Sequence, residues 1–365
     1  MLCYQTAGES HGKALVAIVE GLPSGVPVGE AAVAAFLSRR RLAGGRSGRM
    51  AVEDEAFEIL SGVRDGVSIG SPVAIMIRNR DYRSSLDPIN VPRPGHADLA
   101  GMLKYDTEDA RNIAERASAR ETAARCAAGA VAGCMLKALG IEVFGHVAAI
   151  GRTRLAARRL TLEQAVRMRS RSRFYTVHPE RDETIAAEIE RAARKGDTLG
   201  GVFEVKVIGA PAGLGGCMRA EDRLDGQIAG ALMSIPAVKG VEIGGGVALA
   251  AMPGSEAHDE IFWKDGGIVR PTNRAGGIEG GMTNGEMVVV RAAVKPIPTL
   301  GAPLRSIDMR DKKAAHAPVL RADICAAPAA AVVGEAAVAF EIARAVIERF
   351  GGDTLRRIRS AMREM

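Results

Sequence analysis

Apolar residues recur at helical spacing in several stretches of the chain. Between 224 and 235, Leu224, Ile228 and Leu232 fall on one face of a helix. Similar patterns predict helices over 31–41, 107–139, 224–235 and 329–350, and two amphipathic helices between 162 and 195. We interpret the basic patch at 167–173 as a surface loop between the last two helices rather than as a nucleic-acid site. The basic tail after about residue 352 is expected to fray.

Strands are predicted where apolar residues alternate with polar ones or run together. Phe203, Val205 and Val207 alternate with Glu204 and Lys206, which is typical of a half-buried strand over 200–211. Further strands are predicted over 57–62, 71–77, 238–243 and 287–294. The stretch 71–77 is nearly all apolar, so we expect it in the centre of a sheet.

Composition indicates a globular protein with an anionic partner. The chain has 365 residues, 47% of them hydrophobic and 25% charged, which suits one large domain or two. Its net charge of +6 favours a nucleic acid, a membrane surface, or a phosphorylated or carboxylated small molecule. The five cysteines are scattered without a CxxC pair, which argues against disulfides and a metal site. Without a signal pattern or a membrane-length apolar run, we expect a cytoplasmic location and no membrane partner.

The segment 93–129 combines a histidine, five arginines and a tail of small residues. Pro94-Gly95 predicts a loop, and the helix is expected to begin near Thr107. In that helix Arg116 and Arg120, four residues apart, would share a face that otherwise carries apolar or small side chains. Two guanidiniums on a buried face require an anion. The alternative is a solvated face with ion pairs to neighbouring glutamates.

A histidine flanked by glycines lies near the start of the chain, in Gly8-Glu9-Ser10-His11-Gly12. Because glycine lacks a Cβ, the backbone here can approach a ligand closely. Histidine titrates near neutral pH, so His11 could deliver a proton to a leaving group. The alternative is a turn in which His11 and Ser10 merely satisfy backbone groups.

Arginines are also concentrated at the end of the first predicted helix and in the loop after it. Arg39, Arg40 and Arg41 would be favoured by the helix dipole. No dipole explains Arg46 and Arg49, which lie in a glycine-rich loop that suits a phosphate or carboxylate ligand. A nucleic-acid backbone is the competing partner, although no aromatic residue lies among these arginines to stack on bases.

The densest glycine loop, 273–285, lacks the GxGxxG order and precedes a strand. This excludes a dinucleotide-binding turn, although bare amides could still face a flat ring or a phosphate. The stretch Lys295–Thr299 then places a cation and a hydroxyl on either side of two prolines.

These motifs together resemble the chorismate synthase family. The matching segments are GESHG at 8–12, the arginine-rich loop at 39–50, SGVRDG at 61–66, RPGHAD at 93–98, ERASARETAARCAAGA at 115–130, SIPAVKGVEIG at 234–244, TNRAGGIEGGMTNGE at 272–286, KPIPT at 295–299, and Arg321 with Asp323. They occur in the family's order over nearly the full chain, and the region 145–200 matches least.

The resemblance implies an α+β fold in a single domain over 1–365, with central helices sandwiched between antiparallel sheets, and a homotetramer built as a dimer of dimers. It implies loss of phosphate from 5-enolpyruvylshikimate 3-phosphate to give chorismate, the last step of the shikimate pathway. It also implies a requirement for reduced FMN.

Site residues follow from the same resemblance. His11 would protonate the departing phosphate, His96 would sit by the flavin and help set its charge state, and Asp323 would assist proton removal through the flavin N5. The substrate-binding positions would be Ser10, Arg40, Arg46, Arg49, Arg93, Ser118, Arg120 and Arg321. The cofactor positions would be Arg116, Ala117, Ser118, Pro236, Ala237, Gly280, Lys295, Pro296, Ile297, Pro298, Thr299 and Arg321, with Arg40 and Arg46 also linked to NADP.

Two residues depart from the family pattern. Pro236 stands where Gln or Asn is usual, which puts one side-chain hydrogen bond to flavin in doubt, and Gly44 replaces a common Tyr. The remaining histidines, at 146, 178, 258 and 316, have no motif support and are interpreted as structural or surface residues.

Two other functions were weighed against this one. The first is a bifunctional enzyme that also reduces FMN with NAD(P)H. Since nothing resembles a nicotinamide domain, we expect NADPH to act only through a separate reductase. The second is a nucleic-acid-binding basic protein, which would leave His11, His96 and Asp323 without a task.

Overall fold

An antiparallel sheet of four strands forms one face of the molecule. The computed structural model describes residues 1–42, 44, 56–320 and 323–364. The strands of this sheet are β1 (Cys3–Ala7), β2 (Ala14–Glu20), β3 (Phe57–Ser61) and β6 (Val73–Arg78). Their order is β1-β2-β6-β3, so the apolar β6 is central, as predicted. Between β3 and β6 a small ribbon is formed by β4 (Val63–Arg64) and β5 (Val67–Ser68).

A second antiparallel sheet forms the opposite face. Its strands are β7 (Glu142–Ile150), β8 (Thr153–Arg154), β9 (Gly201–Ile208), β10 (Val238–Ile243) and β15 (Val288–Val294), in the order β10-β15-β9-β7-β8. The predictions for β9, β10 and β15 are confirmed. Three two-stranded ribbons complete the strands: β11 (Phe262–Lys264) with β12 (Gly267–Val269), β13 (Ile278–Glu279) with β14 (Met282–Thr283), and β16 (Arg305–Ile307) with β17 (Ala314–His316).

Two long helices, α4 (Thr122–Ala138) and α9 (Ala327–Phe350), lie between the two sheets, and α1 (Glu30–Leu42) and α7 (Leu224–Met233) pack against them. The other helices are α2 (Asp98–Tyr105), α3 (Arg111–Arg116), α5 (Leu162–Arg171), α6 (Asp182–Arg194), α8 (Gly254–Ala257) and α10 (Leu355–Arg363). Helix α4 packs on β2 and β6, α9 packs on β7 and β9, and the two helices pack on each other. This arrangement confirms the α+β sandwich. Within the described residues, no helix has the length and apolar content to cross a membrane.

The helix predicted over 107–139 is interrupted, which corrects the expectation that Arg116 and Arg120 share a face. Helix α3 ends at Arg116, a short 3-10 turn covers 119–121, and α4 begins at Thr122. The break lies at Ser118, whose backbone is extended and whose hydroxyl accepts a hydrogen bond from the backbone N of Arg120. A serine that caps a helix in this way competes with helix continuation.

Two further expectations were wrong. The basic patch at 167–173 is largely helical, because α5 continues to Arg171. Its Arg169 is buried between the rings of Phe144 and Tyr175 and donates to the Glu335 carboxylate of α9 at 2.9 Å. The tail after 352, expected to fray, forms α10 instead, with Leu355 buried against the core.

Two glycines in α4 test how closely the central helices pack. A methyl group at Gly129 would lie 2.6 Å from the Cα of Ala336 in α9, whereas at Gly133 its nearest neighbour would be Phe36 at 4.0 Å. We expect Gly129→Ala to destabilise the fold by about 1–3 kcal/mol through overpacking. Gly133→Ala should stabilise it by about 0.5–1 kcal/mol, because alanine is the better helix former. Urea unfolding of both variants measures the difference, and equal effects would contradict the close contact.

A buried carboxyl in α9 makes stability depend on pH. Burial raises the pKa of Glu341 to about 7, in spite of the neighbouring Arg344. The folded chain therefore keeps a proton that the unfolded chain has released, so this group lowers stability as pH rises from its ordinary value of 4.5 towards 7.

We expect Glu341→Gln to stabilise the protein near pH 8 by on the order of 1–3 kcal/mol and to have little effect near pH 4. Urea titrations at both pH values test this. Glu190→Gln, at an exposed position of α6, is the control, and a pH-independent effect of Glu341→Gln would contradict the assignment.

Candidate active site

His11 lies in the loop between β1 and β2, and carboxylates face both of its ring nitrogens. Its Nδ1 is 2.8 Å from Oε2 of Glu115 in α3, and the same oxygen accepts the backbone N–H of His11 at 2.9 Å. Its Nε2 is 3.5 Å from Oδ2 of Asp81. The ring is thus fixed in orientation, and a proton on either nitrogen faces an acceptor.

The backbone of the loop that carries His11 is held in place by the Asn79 side chain. The Asn79 side chain donates to the carbonyl oxygens of Glu9 and Gly12 at 3.0 and 2.8 Å. Gly8 has a φ of 102°, and an added Cβ would lie 2.9 Å from the Cα of Leu15. Glycine is therefore required at this position for both conformation and space.

Two buried arginines lie beside this loop. Arg40 is 2% exposed, and its guanidinium donates to the Thr122 hydroxyl at 3.0 Å and to the Ala119 carbonyl at 2.8 Å. Arg120 is also buried and donates to Oδ1 of Asn79 at 2.9 Å. The structure therefore gathers both arginines and the His11 loop around the start of α4.

The serines predicted to bind substrate belong to the same group. The Ser118 hydroxyl donates to the Ser10 hydroxyl at 3.2 Å, which joins the start of α4 to the His11 loop. In addition, the backbone N of Ser10 donates to the carbonyl of Glu115 at 3.2 Å.

A second histidine, His96, lies beside Asp98, a fully buried carboxylate at the start of α2. Asp98 accepts from the guanidinium of Arg93 at 2.7 and 3.0 Å, and its Oδ1 is 2.5 Å from Nδ1 of His96. Burial alone would raise the pKa of Asp98, but hydrogen bonds from His96 and Arg93 outweigh it and hold the pKa well below its usual range.

The ionised state of Asp98 fixes the tautomer of His96. An ionised carboxylate can only accept, so Nδ1 of His96 carries a proton and faces Asp98. Arg93 also lies 3.1 Å from this Nδ1, but two donors cannot share a hydrogen bond, so the shorter contact to Asp98 decides. The Nε2 atom of His96, which lies 3.5 Å from the Arg93 guanidinium, is therefore the nitrogen that can accept a hydrogen bond.

The predicted cofactor segment 295–299 lies against the loop that carries His96. The ammonium of Lys295 contacts the carbonyl of Gly95, and Arg93 donates to the Thr299 hydroxyl at 3.3 Å. The backbone N of Lys295 donates to the carbonyl of Ala237 at 2.9 Å. Ala237 has a φ of 71°, an unusual conformation for a residue with a Cβ.

The two histidine groups are joined by the packing of α2 on α3. Gly101 of α2 leaves space for the Ile113 side chain of α3, since an added Cβ would lie 2.6 Å from Cγ2 of that isoleucine. A small apolar cluster that includes Met102 and Ala114 lies between the same helices. His11, bound to α3, and His96, just before α2, are therefore held on neighbouring helices.

Asp323 is connected to the same neighbourhood through the backbone. The carbonyl of the next residue, Ile324, accepts from the N of Leu199 at 2.8 Å, and the Thr198 hydroxyl donates to the carbonyl of Ile297 at 2.7 Å. Burial raises the pKa of the Cys325 thiol to about 11, and the Asp323 carboxylate acts in the same direction.

The other predicted substrate and cofactor positions have fewer contacts with the two histidine groups. The Arg116 side chain is partly exposed and donates to the carbonyls of Gly8 and Thr6, next to the His11 loop. Among the residues that the structure describes, Gly280 makes no hydrogen bond to Ala237 or to Lys295. The predicted positions Arg46, Arg49 and Arg321 lie outside the described residues.

The chemistry of these residues is compatible with FMN. Lys295 and Arg116 supply cations, and Ser118 and Thr299 supply hydroxyls, which suit a phosphate. Gly280 has a φ of 59°, and an added Cβ would find its nearest atom 4.0 Å away, so the backbone there is open to a flat ring.

The family departure at residue 44 has a local explanation. The backbone N of Gly44 donates to the carbonyl of Arg173 at 2.8 Å, and an added Cβ would lie 2.8 Å from the Phe174 ring. A tyrosine could not be accommodated in this arrangement, because the Phe174 ring already occupies the space beside Gly44.

Sequence reasoning missed the carboxylates that orient the histidines. Asp98 could have been found, because it lies two residues after His96 and an acid beside a histidine is a common orienting pair. Glu115 was considered only as an ion-pair partner of arginine. Asp81 carries no local signal, because it meets His11 only through the fold.

Comparison with known proteins gives matches to a single family. A family model for chorismate synthase matches residues 2–347. Chorismate synthase of Moorella thermoacetica is 54% identical over 368 residues, covering 97% of this chain and 96% of the relative. Chorismate synthase of Geobacter sulfurreducens is 49% identical over 380 residues, covering 98% and 97%. A chorismate synthase crystal structure superposes with a TM-score of 0.82 at 40% identity, covering 100% of this chain and 96% of that one.

Proposed function

Because the chain belongs to the chorismate synthase family, whose members are phosphate lyases, we propose that it converts 5-enolpyruvylshikimate 3-phosphate into chorismate with a requirement for reduced FMN. This is an anti-1,4-elimination and the last step of the shikimate pathway. The observation that carries the proposal is His11, fixed between Glu115 and Asp81 beside the buried Arg40 and Arg120. A proton donor next to guanidiniums is what a departing phosphate requires.

The substrate has one phosphate and two carboxylates, which the arginines would bind. Arg40 and Arg120 are held by the hydroxyl and amide contacts described above, so their planes are fixed before a ligand arrives. Arg93 is positioned by Asp98 in the same way. Ser10 and Ser118 would add hydroxyl contacts, and Arg46, Arg49 and Arg321 would complete the set.

In the proposed elimination the C–O bond to phosphate breaks and its electron pair leaves with the phosphate. His11 would give the proton on Nε2 to a phosphate oxygen, while Glu115 holds Nδ1. A carbon-bound hydrogen leaves as a proton from the opposite face of the ring, and Asp323 would assist its removal. The C–H electron pair forms a new double bond, and the existing double bond shifts towards the carbon that loses phosphate. The balance is one phosphate and one proton lost for one new double bond.

FMN would be held by Arg116, Ala117, Ser118, Pro236, Ala237, Gly280, Lys295–Thr299 and Arg321. Reduced flavin can supply electron density transiently and recover it, which suits a reaction with no net redox change. The Nε2 atom of His96 would face the ring and help set its charge state, because Nδ1 is engaged by Asp98. We further propose that the enzyme is a cytoplasmic homotetramer.

The proposal is tested by anaerobic phosphate release from 5-enolpyruvylshikimate 3-phosphate with dithionite-reduced FMN. We expect release by the wild type and a loss of about 10²–10⁴-fold for His11→Ala and for His96→Ala, the usual effect of removing a general acid or base. His258→Ala, which removes an exposed histidine, is the control. No phosphate release by the wild type would contradict the proposed reaction.

We propose that NADPH reaches this enzyme only through a separate reductase. An aerobic assay with NADPH and FMN alone should therefore show no oxidation of NADPH, and oxidation would identify a bifunctional enzyme. Salt-sensitive binding to any DNA duplex would instead favour the basic nucleic-acid-binding protein.

A further inference from the structure

A cavity of about 740 Å³ lies on the outer face of the five-stranded sheet, away from the residues discussed so far. Along β9, Phe203 and Val205 face the core and Glu204 and Lys206 face outward. The cavity lies between these outward residues and the segment 155–165, which covers this face of the sheet. Its volume is in the range of small-molecule sites, which is about 300–1,000 Å³.

One buried side chain in this cavity is incompletely satisfied. His146 is 7% exposed and lines the cavity, and its Nδ1 atom has no hydrogen-bond partner in the described part of the chain. Its Nε2 is 3.8 Å from Oε1 of Glu204, and its ring stacks on Phe144 with centroids 5.6 Å apart. A buried polar atom without a partner is costly, which points to a ligand that supplies one.

The proton state of His146 decides which partner it needs. Burial lowers the pKa of His146 to about 4, so the ring is neutral near pH 7 and has one N–H. That proton is favoured on Nε2, which faces the Glu204 carboxylate. The unpartnered Nδ1 is then an acceptor, and its partner must be a hydroxyl or an N–H group.

The charge of the lining favours an anion. The cationic lining residues are Arg158, Arg159, Lys206 and Arg291, and the lining carboxylate among the described residues is Glu204. Glu204 pairs with Lys206 at 3.2 Å and with Arg291 at 2.7 Å. Arg158 pairs with the partly exposed Glu180, and Arg159 is exposed to solvent. The positive residues therefore outnumber the negative ones in the cavity.

Most of the remaining lining residues are apolar and suit a flat body, and the polar ones are Thr161, Gln164 and His178. Phe144 and Val177 belong to a small hydrophobic cluster under α5, and both line the cavity together with Leu162 and Met287. Aromatic and aliphatic walls with a few polar groups are typical of sites for small amphipathic molecules.

We propose that this cavity binds a small aromatic acid that carries a hydroxyl group. Its ring lies against the apolar wall, its hydroxyl donates to Nδ1 of His146, and its carboxylate meets Arg158 and Arg159. The site is separate from the proposed active site and does not depend on the proposed function.

Calorimetric titration of the full-length protein with three probes tests the site. We expect 4-hydroxybenzoate to bind about tenfold more tightly than benzoate, which lacks the hydroxyl, because one buried hydrogen bond is lost. It should also bind about tenfold more tightly than 4-hydroxybenzyl alcohol, which lacks the carboxylate, because a charge-assisted contact is lost. Failure of 4-hydroxybenzoate to bind at millimolar concentration would overturn the proposal.

Two variants locate the binding. His146→Phe keeps the ring on Phe144 but removes the acceptor, so 4-hydroxybenzoate and benzoate should bind equally; an unchanged preference would place the ligand elsewhere and overturn the proposal. Arg158→Gln, at a partly exposed position, should weaken 4-hydroxybenzoate about fivefold to tenfold and leave the alcohol unchanged. The Arg158→Gln variant still tests the site if His146→Phe does not fold. Equal weakening of 4-hydroxybenzoate and 4-hydroxybenzyl alcohol would contradict the assigned orientation of the ligand.

Discussion

Replacing Asp98 by alanine is expected to destabilise the protein by about 3–5 kcal/mol, because it removes the partner of a buried cation. Asp98 is fully buried and accepts from the backbone N and the guanidinium of Arg93 as well as facing His96. Without it, the buried Arg93 charge would lose its carboxylate partner and would keep only neutral contacts, to the Thr299 hydroxyl and the His96 ring. Activity should be lost as well, since neither Arg93 nor His96 would keep its orientation.

The pH dependence separates this role from simple packing. The pKa of Asp98 is lowered in the folded state, so its stabilising contribution is present above the ordinary carboxyl value of 3.8 and is lost as pH falls below it. The difference in unfolding free energy between wild type and Asp98→Ala should therefore shrink between about pH 5 and pH 2. Urea unfolding at several pH values measures it, with Asp353→Ala as an exposed control. A difference that does not change with pH would contradict the ionised state.

Replacing Glu115 by alanine is expected to lower kcat by about 10²–10³-fold with a much smaller change in KM, because a misplaced catalytic group costs rate rather than binding. One carboxylate oxygen of Glu115 accepts both the Nδ1 and the backbone N–H of His11, so its loss releases the ring and the loop together. In the proposed mechanism Glu115 acts through His11, as a positioning residue.

Two companion variants make the Glu115 experiment specific. Glu115→Gln keeps an oxygen acceptor but loses the charge, so we expect a loss of only about tenfold. Glu108→Ala, at an exposed position just before α3, should leave kcat and KM unchanged. If Glu115→Gln were as slow as Glu115→Ala, the charge of Glu115 rather than its acceptor oxygen would carry the effect. If Tm fell in parallel with kcat, Glu115 would be a stability residue instead.

Sequence patterns predicted several helices and strands of the core, because buried faces repeat at a regular spacing, whereas the layered sandwich was implied by the family resemblance. The run Val73–Arg78 is almost continuously apolar rather than alternating with polar residues. Such a run predicts a central strand, and it lies inside the four-stranded sheet. The segment Ala327–Phe350 was predicted within two residues. The helix break at Ser118 was missed because the neighbouring residues are good helix formers. A single capping hydroxyl does not change the spacing of apolar residues from which helices were predicted.

The candidate site was predictable in its cations and histidines but not in its acids. Glycines around His11 and arginines in apolar surroundings are visible along the chain. The His11–Glu115 contact joins residues 104 positions apart, and the one to Asp81 likewise depends on how the loops fold together. Only Asp98 lies close enough in sequence to its histidine to have been found by spacing.

The glycine and alanine contact between α4 and α9 has a mechanical consequence. Close backbones leave no layer of long side chains that could deform, and packed interiors compress little. A displacement of the sheet behind α9 must therefore be transmitted to α4 as a rigid shift. The turn just before α4 carries Ser118 and Arg120, so the two sheets and the groups proposed to bind the substrate are expected to move as one body.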